Sequence, residues 1–214
     1  VYSASDLARE EFPEYSVEER SAVSIARRLQ DPLSELVKID PKSIGVGQYQ
    51  HDVSQSKLAD SLDFVVETAV NKVGVNINTA SYSLLKYVAG LNAGTAKKIV
   101  TYREENGRFE NRKDIKVKGV GPKALEQAIG FLRIVDGNEP LDMTGIHPES
   151  YETALAILTK LGFTSNDLGK SELVEKVKML TDEEKKTMIE ELNVGEYTFN
   201  DILDAFISPH RDPR

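Results

Sequence analysis

The sequence predicts a mainly α, multi-helical fold, and three observations carry the prediction. Apolar residues recur at three- and four-residue spacing through most of the chain, helix-start signals precede several of these runs, and no stretch alternates apolar and polar residues as a half-buried strand does. The 214 residues, 40% hydrophobic and 29% charged, suffice for one large or two to three small helical domains.

Taken in order, Ser16-Val17-Glu18-Glu19 has the spacing of a capping box, in which Ser16 and Glu19 satisfy each other's orphan backbone donors. The helix it opens runs to about Gln30, is stopped by Asp31-Pro32, and carries an apolar stripe of Val17, Ala22, Val23, Ala26 and Leu29. Asp40 to Asp52, with its proline and glycines, is expected to be a long ordered loop without regular structure. From about Ser56 to Lys72 a second helix brings Leu58, Leu62, Val65, Val66 and Ala69 to one face, and Gly74 terminates it. Beyond residue 137, Pro148 suits a first helical turn, and Tyr151, Ala154, Leu155, Leu158 and Leu161 form a buried stripe up to Gly162. Further helices are expected over about 170–180, from the capping box Thr181-Asp182-Glu183-Glu184 to about Leu192, and over 198–206, where Phe199, Ile202, Leu203 and Phe206 share a side.

Composition removes several function classes. No window approaches the roughly 18 apolar residues of a membrane span and no basic-then-apolar leader opens the chain, so a cytoplasmic protein with no membrane partner is expected. The absence of cysteine rules out disulfides and thiolate metal sites, and His51, His147 and His210 are scattered, so neither metal nor cofactor is expected. Gly45-Val46-Gly47 lacks the Gly-Lys-Ser/Thr and the strand-then-helix context of a nucleotide loop and reads as a packed structural loop. His51-Asp52 and His147-Pro148 read as structural or capping residues. No nucleophile, base and orienting group stand at a suggestive spacing, so the chain is not expected to be an enzyme or to have a small-molecule substrate. It opens on Val1 rather than Met and closes on Ser208-Pro209-His210-Arg211-Asp212-Pro213-Arg214, which reads as a linker, so a fragment is expected.

The formal charge of −8 conceals a division along the chain. Residues 1–71 carry a net −6, residues 72–136 a net +6, and residues 137–214 a net −8. A basic middle between acidic flanks marks where a phosphate backbone would sit, with the ends steering it there.

Within that middle, Gly119-Val120-Gly121-Pro122-Lys123 is the sharpest motif. Gly119 and Gly121 permit positive φ and close backbone approach, Val120 points inward to lock the turn, and Pro122 has the φ of a first helical position. The helix from about Lys123 to Leu132 then starts with its unbonded amides and positive dipole end outward, which is an anion site, and Lys123 adds a mobile charge. About thirty residues upstream, Gly90-Leu91-Asn92-Ala93-Gly94-Thr95-Ala96 repeats the design before a helical stretch from Lys97 to Glu104. Asn92 there stands in for the second glycine, because asparagine tolerates the left-handed region. Each hairpin follows a short helix, Thr79 to Ala89 and about Arg112 to Lys116, so the unit is helix-hairpin-helix twice over. The residues expected to hold nucleic acid are Gly90, Leu91, Asn92, Ala93, Gly94, Lys97 and Lys98 from the first hairpin. From the second they are Arg112, Lys113, Lys116, Lys118, Gly119, Val120, Gly121, Pro122 and Lys123.

A resemblance becomes specific at this point. Asn76-Ile77-Asn78-Thr79-Ala80-Ser81, Leu84-Leu85, Val88-Ala89-Gly90-Leu91, Asn106-Gly107 and Gly119-Val120-Gly121-Pro122-Lys123 resemble the tandem helix-hairpin-helix domain of DNA-uptake proteins. Ala22 to Leu33, Lys38 to Val53 and Leu141 to Tyr151 closely resemble the Tex family of bacterial transcription accessory proteins, and the similarity covers nearly the whole chain. The resemblance implies four parts. They are 1–71 from the end of an RNase H-like (YqgF-type) region with Val1-Tyr2-Ser3 as a strand remnant, 72–136 as the tandem helix-hairpin-helix domain, 137–208 as a small helical domain related to it, and 209–214 as a linker toward an absent S1 domain. It further implies a role in transcription and a preference for single-stranded RNA that rests largely on S1, with an RNase H-like part generally lacking nuclease activity.

Two readings follow. In the first, the hairpins grip the phosphate backbone of RNA or DNA without reading sequence, because phosphate contacts carry little base information. In the second, the helical parts form a protein-interaction scaffold that positions neighbouring domains and docks on RNA polymerase.

Overall fold

The computed structural model describes residues 1–45 and 47–210, and among them the fold is mainly α, with eleven α-helices and two strands of two residues each. The first corner is built by α1 (Asp6–Glu11), α2 (Val17–Gln30) and α3 (Pro32–Leu36). The capping box that opens α2 is present, with Glu19 N donating to Ser16 Oγ at 3.2 Å and Ser16 N donating to Glu19 Oε2 at 2.7 Å.

The expected apolar stripe of α2 is not its buried face. Arg20 and Ser24 are buried, whereas Val17, Ala22 and Ala26 are exposed and Leu29 is 85% exposed. The reason is a polar cluster on the inner side. Ser24 Oγ donates to Glu35 at 3.0 Å, and the buried ammonium of Lys38 lies 2.8 Å from Glu35 and 3.0 Å from Glu11. Among the described residues the apolar core here is small, Tyr2, Ala8 and Ile39 with Leu7 packed against them. Tyr2–Ala4 is a 3-10 turn closed by Ser5 N donating to Tyr2 O, not a strand remnant. The loop after α3 also holds more order than its composition suggested, because Asp40 caps a 3-10 turn at Pro41–Ser43 and a second spans Gln48–Asp52. Val46, in the glycine pair expected to pack as a loop, lies outside the described residues.

The long helix α4 (Gln55–Val73) turns Leu58, Leu62 and Val66 partly inward and buries Val70, while Val65 and Ala69 face outward. It stops at Gly74, whose φ of 84° lets its amide close back on Val70 O at 2.9 Å. Then β1 (Val75–Asn76) pairs in parallel with β2 (Leu132–Arg133), in the register Val75↔Leu132 and Asn76↔Arg133. This ladder ties the start of the hairpin unit to its end, around α5 (Tyr82–Leu85), α6 (Ala93–Asn106) and α7 (Pro122–Ile129).

Both short helices before the hairpins are shorter than expected. After α5, Asn71 of α4 intervenes, donating to Tyr87 O and accepting from Ala89 N, both at 2.9 Å, so the backbone groups there bond across the fold instead of along a helix. Before the second hairpin only a 3-10 turn forms, Arg112–Asp114, and the chain beyond it buries Ile115 and Val117 alternately. One apolar core gathers Val70, Ile77, Leu85, Ile99, Val120, Leu132 and Ile134. A second gathers Leu141, Tyr151, Ile157, Leu158, Leu173, Phe199 and Phe206 from α8 (Tyr151–Leu161), α9 (Ser171–Lys178), α10 (Asp182–Leu192) and α11 (Glu196–Ile207). The capping box at Thr181 and Glu184 opens α10 and left-handed Gly162 ends α8.

Candidate nucleic-acid interface

The two hairpins share one backbone plan. A glycine at positive φ (Gly90 at 86°, Gly119 at 85°) is followed by an inward apolar residue and then by an extended N-cap, Asn92 or Gly121, from which α6 or α7 starts. The expectation that Asn92 and Gly121 take left-handed conformations is therefore corrected. Asn92 has φ −140° and Gly121 φ −66°, because each is an N-cap and N-caps sit in the extended region. Asn92 serves as the cap through its side chain, which accepts from Thr95 N at 3.0 Å while Thr95 Oγ1 accepts from Asn92 N at 2.8 Å.

The second hairpin lacks such a cap. Gly121 has no side chain to offer, Pro122 has no N–H, and the amides of Gly121, Lys123 and Ala124 donate to no described residue. Gly121, Pro122 and Lys123 are exposed, and a Cβ built on Gly121 would meet nothing within 4 Å. Val120 is inward, at 7% exposed. The first hairpin is half closed by comparison, with Ala93 and Gly94 amides unbonded and Thr95 N occupied by Asn92.

Each hairpin glycine also packs against the other hairpin's helix. A Cβ on Gly90 would stand 2.7 Å from the carbonyl oxygen of Ala124 in α7, and one on Gly119 would stand 2.9 Å from Lys98 Nζ of α6. Lys98 in fact donates to Gly119 O at 2.9 Å, so its ammonium bridges the hairpins. The Gly119 corner is therefore occupied by a side chain, while the amide edge at Gly121 to Ala124 stays open.

Of the lysines expected at the interface, Lys97, Lys113, Lys116, Lys118 and Lys123 are exposed, and Lys118 and Lys123 flank that edge in the chain. Lys97 lies over the Tyr82 ring at 4.9 Å and Lys113 over Tyr151 at 5.0 Å, contacts that restrain the ammoniums without neutralising them. Lys116, Lys118 and Lys123 have no acidic partner among the described residues.

Arg112 does not belong to this surface. It is fully buried, and its guanidinium donates to the carbonyls of Leu132 and Thr144 at 3.0 Å, of Leu141 at 3.2 Å and of Ile146, and to Tyr151 Oη. Asp142, also fully buried, lies 3.6 Å from Arg112 Nε, accepts the Arg112 amide at 2.9 Å and accepts from Tyr151 Oη. Burial, the strongest influence, together with the Asp142 hydrogen bond and against the pull of Arg112, pushes the Tyr151 phenol well above its ordinary range. The network joins the hairpin unit to the segment leading into α8. The Asn92–Thr95 cap and the Lys98 bridge were missed at the sequence level. The cap had a signal, since Asn92 and Thr95 have the three-residue separation of a capping box.

Comparison with known proteins gives matches to three family models along the chain. Residues 1–30 match the Tex protein YqgF-like domain, residues 70–133 the helix-hairpin-helix motif, and residues 139–214 the HHH domain. The chain is 60% identical over 215 residues to the uncharacterized protein YdcI of Bacillus subtilis and 55% identical over 218 residues to the transcriptional accessory protein Tex of Neisseria gonorrhoeae, in each case over 100% of its own length. It is 42% identical over 259 residues to the human S1 RNA-binding domain-containing protein 1, with 98% of the chain covered. The chain spans 30%, 28% and 26% of these relatives' lengths, respectively.

Proposed function

The chain belongs to the Tex family of transcription accessory proteins, and from that premise we propose that its paired hairpins hold the phosphate backbone of RNA or DNA without sequence preference. One observation carries the reading: α7 begins with no side-chain cap, so its first amides stand unbonded at an exposed helix start among lysines free of acidic partners. Such a start offers hydrogen-bond donors and a positive dipole end to an oxyanion. Lysine, a mobile point charge, suits phosphate rather than a base edge. The second hairpin is the principal grip and the first, whose Thr95 amide is already satisfied, the lesser one. The role is binding rather than catalysis. RNA is the first ligand to test, because the human relative is named for an S1 RNA-binding domain.

Fluorescence anisotropy with labelled single- and double-stranded RNA and DNA across a salt series tests this. Log affinity should fall with log salt by roughly 0.7 to 0.9 for each phosphate neutralised, and Lys97→Glu with Lys123→Glu should flatten that slope. Unchanged affinity and slope in the double variant would remove the hairpins from the site.

A second reading is favoured by the charge of residues 137–214, net −8, which repels a polyanion. That unit is proposed as a protein-docking scaffold, with RNA polymerase as the partner. Deleting it should abolish polymerase co-purification while the lysine changes leave it intact.

A further inference from the structure

A cleft of about 1040 Å³ runs between the hairpin unit, the α8–α11 unit and the turn from α2 to α3. Its lining includes Gly74, Arg133, Gly145 and His147, together with Asp201 and Asp204 of α11. Volumes of about 300 to 1,000 Å³ are usual for small-ligand sites.

Arg133 is half-buried in this lining, and Nη1 alone is engaged, donating to Gly130 O at 2.8 Å and Leu132 O at 3.0 Å. Nε and Nη2 donate to no described residue, and no described carboxylate pairs with the side chain. Neither nitrogen is sealed away, since the single enclosed side-chain atom lacking a partner among the described residues is Ser81 Oγ. The guanidinium lies against two glycines that also line the cleft. A Cβ on Gly74 would come within 2.7 Å of its Cζ and Nε, and one on Gly145 within 3.4 Å of Nη2. His147 meets the same corner. A Cβ on Gly130, whose carbonyl holds Arg133, would be 3.3 Å from His147 Cδ2. His147 Nδ1 accepts from Glu149 N at 3.2 Å and lies 3.6 Å from the Glu149 carboxylate, whereas Nε2 has no partner among the described residues.

A cation withdrawn from water without a counter-charge is costly. Burial, and secondarily the nearby Arg112, bring the Arg133 guanidinium down to about 10. The unused Nε–Nη2 edge is the one that binds a carboxylate or phosphate in bidentate fashion. The acidic residues of α11 in the same lining disfavour a nucleic-acid strand and suit a ligand that carries a cationic or hydrogen-donating group beside its oxyanion.

We propose that Arg133 and His147 form a site for the oxyanion group of a small ligand in this cleft, with Asp201 and Asp204 receiving a donor group on the same ligand. The site is independent of the hairpins, and no reaction is attached to it.

Calorimetric and thermal-shift titrations of the chain with inorganic phosphate, acetate and 6-aminohexanoate, the last carrying both carboxylate and ammonium, test the proposal. Saturable binding in the millimolar range is expected, with 6-aminohexanoate bound more tightly than acetate. Arg133→Gln should weaken binding about tenfold or more, and Asp201→Asn with Asp204→Asn should erase the advantage of 6-aminohexanoate. Gly145→Val, which crowds the Nη2 edge while keeping Arg133, should give the same loss as Arg133→Gln and guards against a folding defect in that variant. Lys123→Glu should leave these titrations unchanged. The proposal is overturned by no binding of any probe up to about 20 mM, by wild-type binding in both Arg133→Gln and Gly145→Val, or by loss of binding in Lys123→Glu.

Discussion

Replacing Arg112 with lysine separates two roles that the basic motif around it confounds. The substitution keeps the positive charge and removes the planar fork, so a phosphate contact would survive it and a buried structural hub would not. Among the carbonyls that Arg112 holds, Leu132 O also accepts from Arg133 and Leu141 O from Thr144, whereas Thr144 O and Ile146 O receive no other hydrogen bond among the described residues. An ammonium has three donors and cannot serve those two carbonyls and Tyr151 Oη in the same plane. Leaving one or two buried acceptors unpaired costs about 1 to 3 kcal/mol each, so Arg112→Lys should destabilise the chain by about 2 to 4 kcal/mol. For a chain of this size that corresponds to a drop in Tm of roughly 5 to 15 °C by differential scanning calorimetry. Below the new transition, the salt slope of oligonucleotide binding should match wild type. A Tm within about 2 °C of wild type, together with a shallower salt slope, would refute the buried-hub reasoning and return Arg112 to the binding surface.

Two further perturbations probe the hairpins and the caps. Gly90→Ala combines a positive φ with a methyl driven to 2.7 Å from Ala124 O, and urea denaturation should show a loss of about 2 kcal/mol or more, against a near-neutral Gly121→Ala, whose Cβ meets open space. The Asp167 carboxyl is held low mainly by the Thr164 amide and then by Lys170, and that of Glu184 mainly by the Thr181 amide and then the Thr181 hydroxyl. A folded-state value below the unfolded one gives stability that is present above about pH 4 and lost as pH falls below it. Melting curves should therefore decline on acidification through that range, and Asp167→Asn with Glu184→Gln should reduce the pH dependence; an unaltered acid limb would show that other carboxylates dominate it.

What could be read from the sequence was local chemistry. The capping boxes at Ser16 and Thr181, the stops at Gly74 and Gly162, and the Pro122 start of α7 all depend on residues within about four positions of one another, where residue type nearly dictates geometry. Arg112 was misplaced because its acceptors stand 20 to 39 residues away, and nothing in the run Arg112-Lys113 distinguishes a buried guanidinium from its exposed neighbour. The face of α2 was misread for a related reason. Periodicity identifies an amphipathic helix but not what covers each side, and the partner of Ser24 is Glu35 beyond the next turn, itself paired with Lys38. Asn92 was assigned the right element with the wrong conformation, since asparagine favours both the left-handed region and the N-cap.

The basic middle segment divides its cations by type, and this sharpens the case for the lysines. All four of its arginines bond to backbone carbonyls, Arg103 to Ile77 and Ala80, Arg108 to Asp136, Arg112 to four carbonyls and Arg133 to two, so each is tied into the fold, Arg133 through Nη1 alone. The exposed arginine, Arg108, is paired with Glu110, so the exposed cations of this segment without an acidic partner among the described residues are lysines. Hairpin geometry by itself does not make a phosphate grip, as the same plan at Asn193-Val194-Gly195 shows. Asn193 has φ 48°, Gly195 is an N-cap without a side-chain bond, and α11 starts on Glu196 just after the carboxylates of Glu190 and Glu191. There the first turn carries a carboxylate of its own, Glu196, which stabilises the helix start and disfavours phosphate. The backbone plan supplies donors, and the side chains beside it decide which charge may approach; at α7 an uncapped start follows closely on Lys118 and includes Lys123, neither of which has an acidic partner among the described residues.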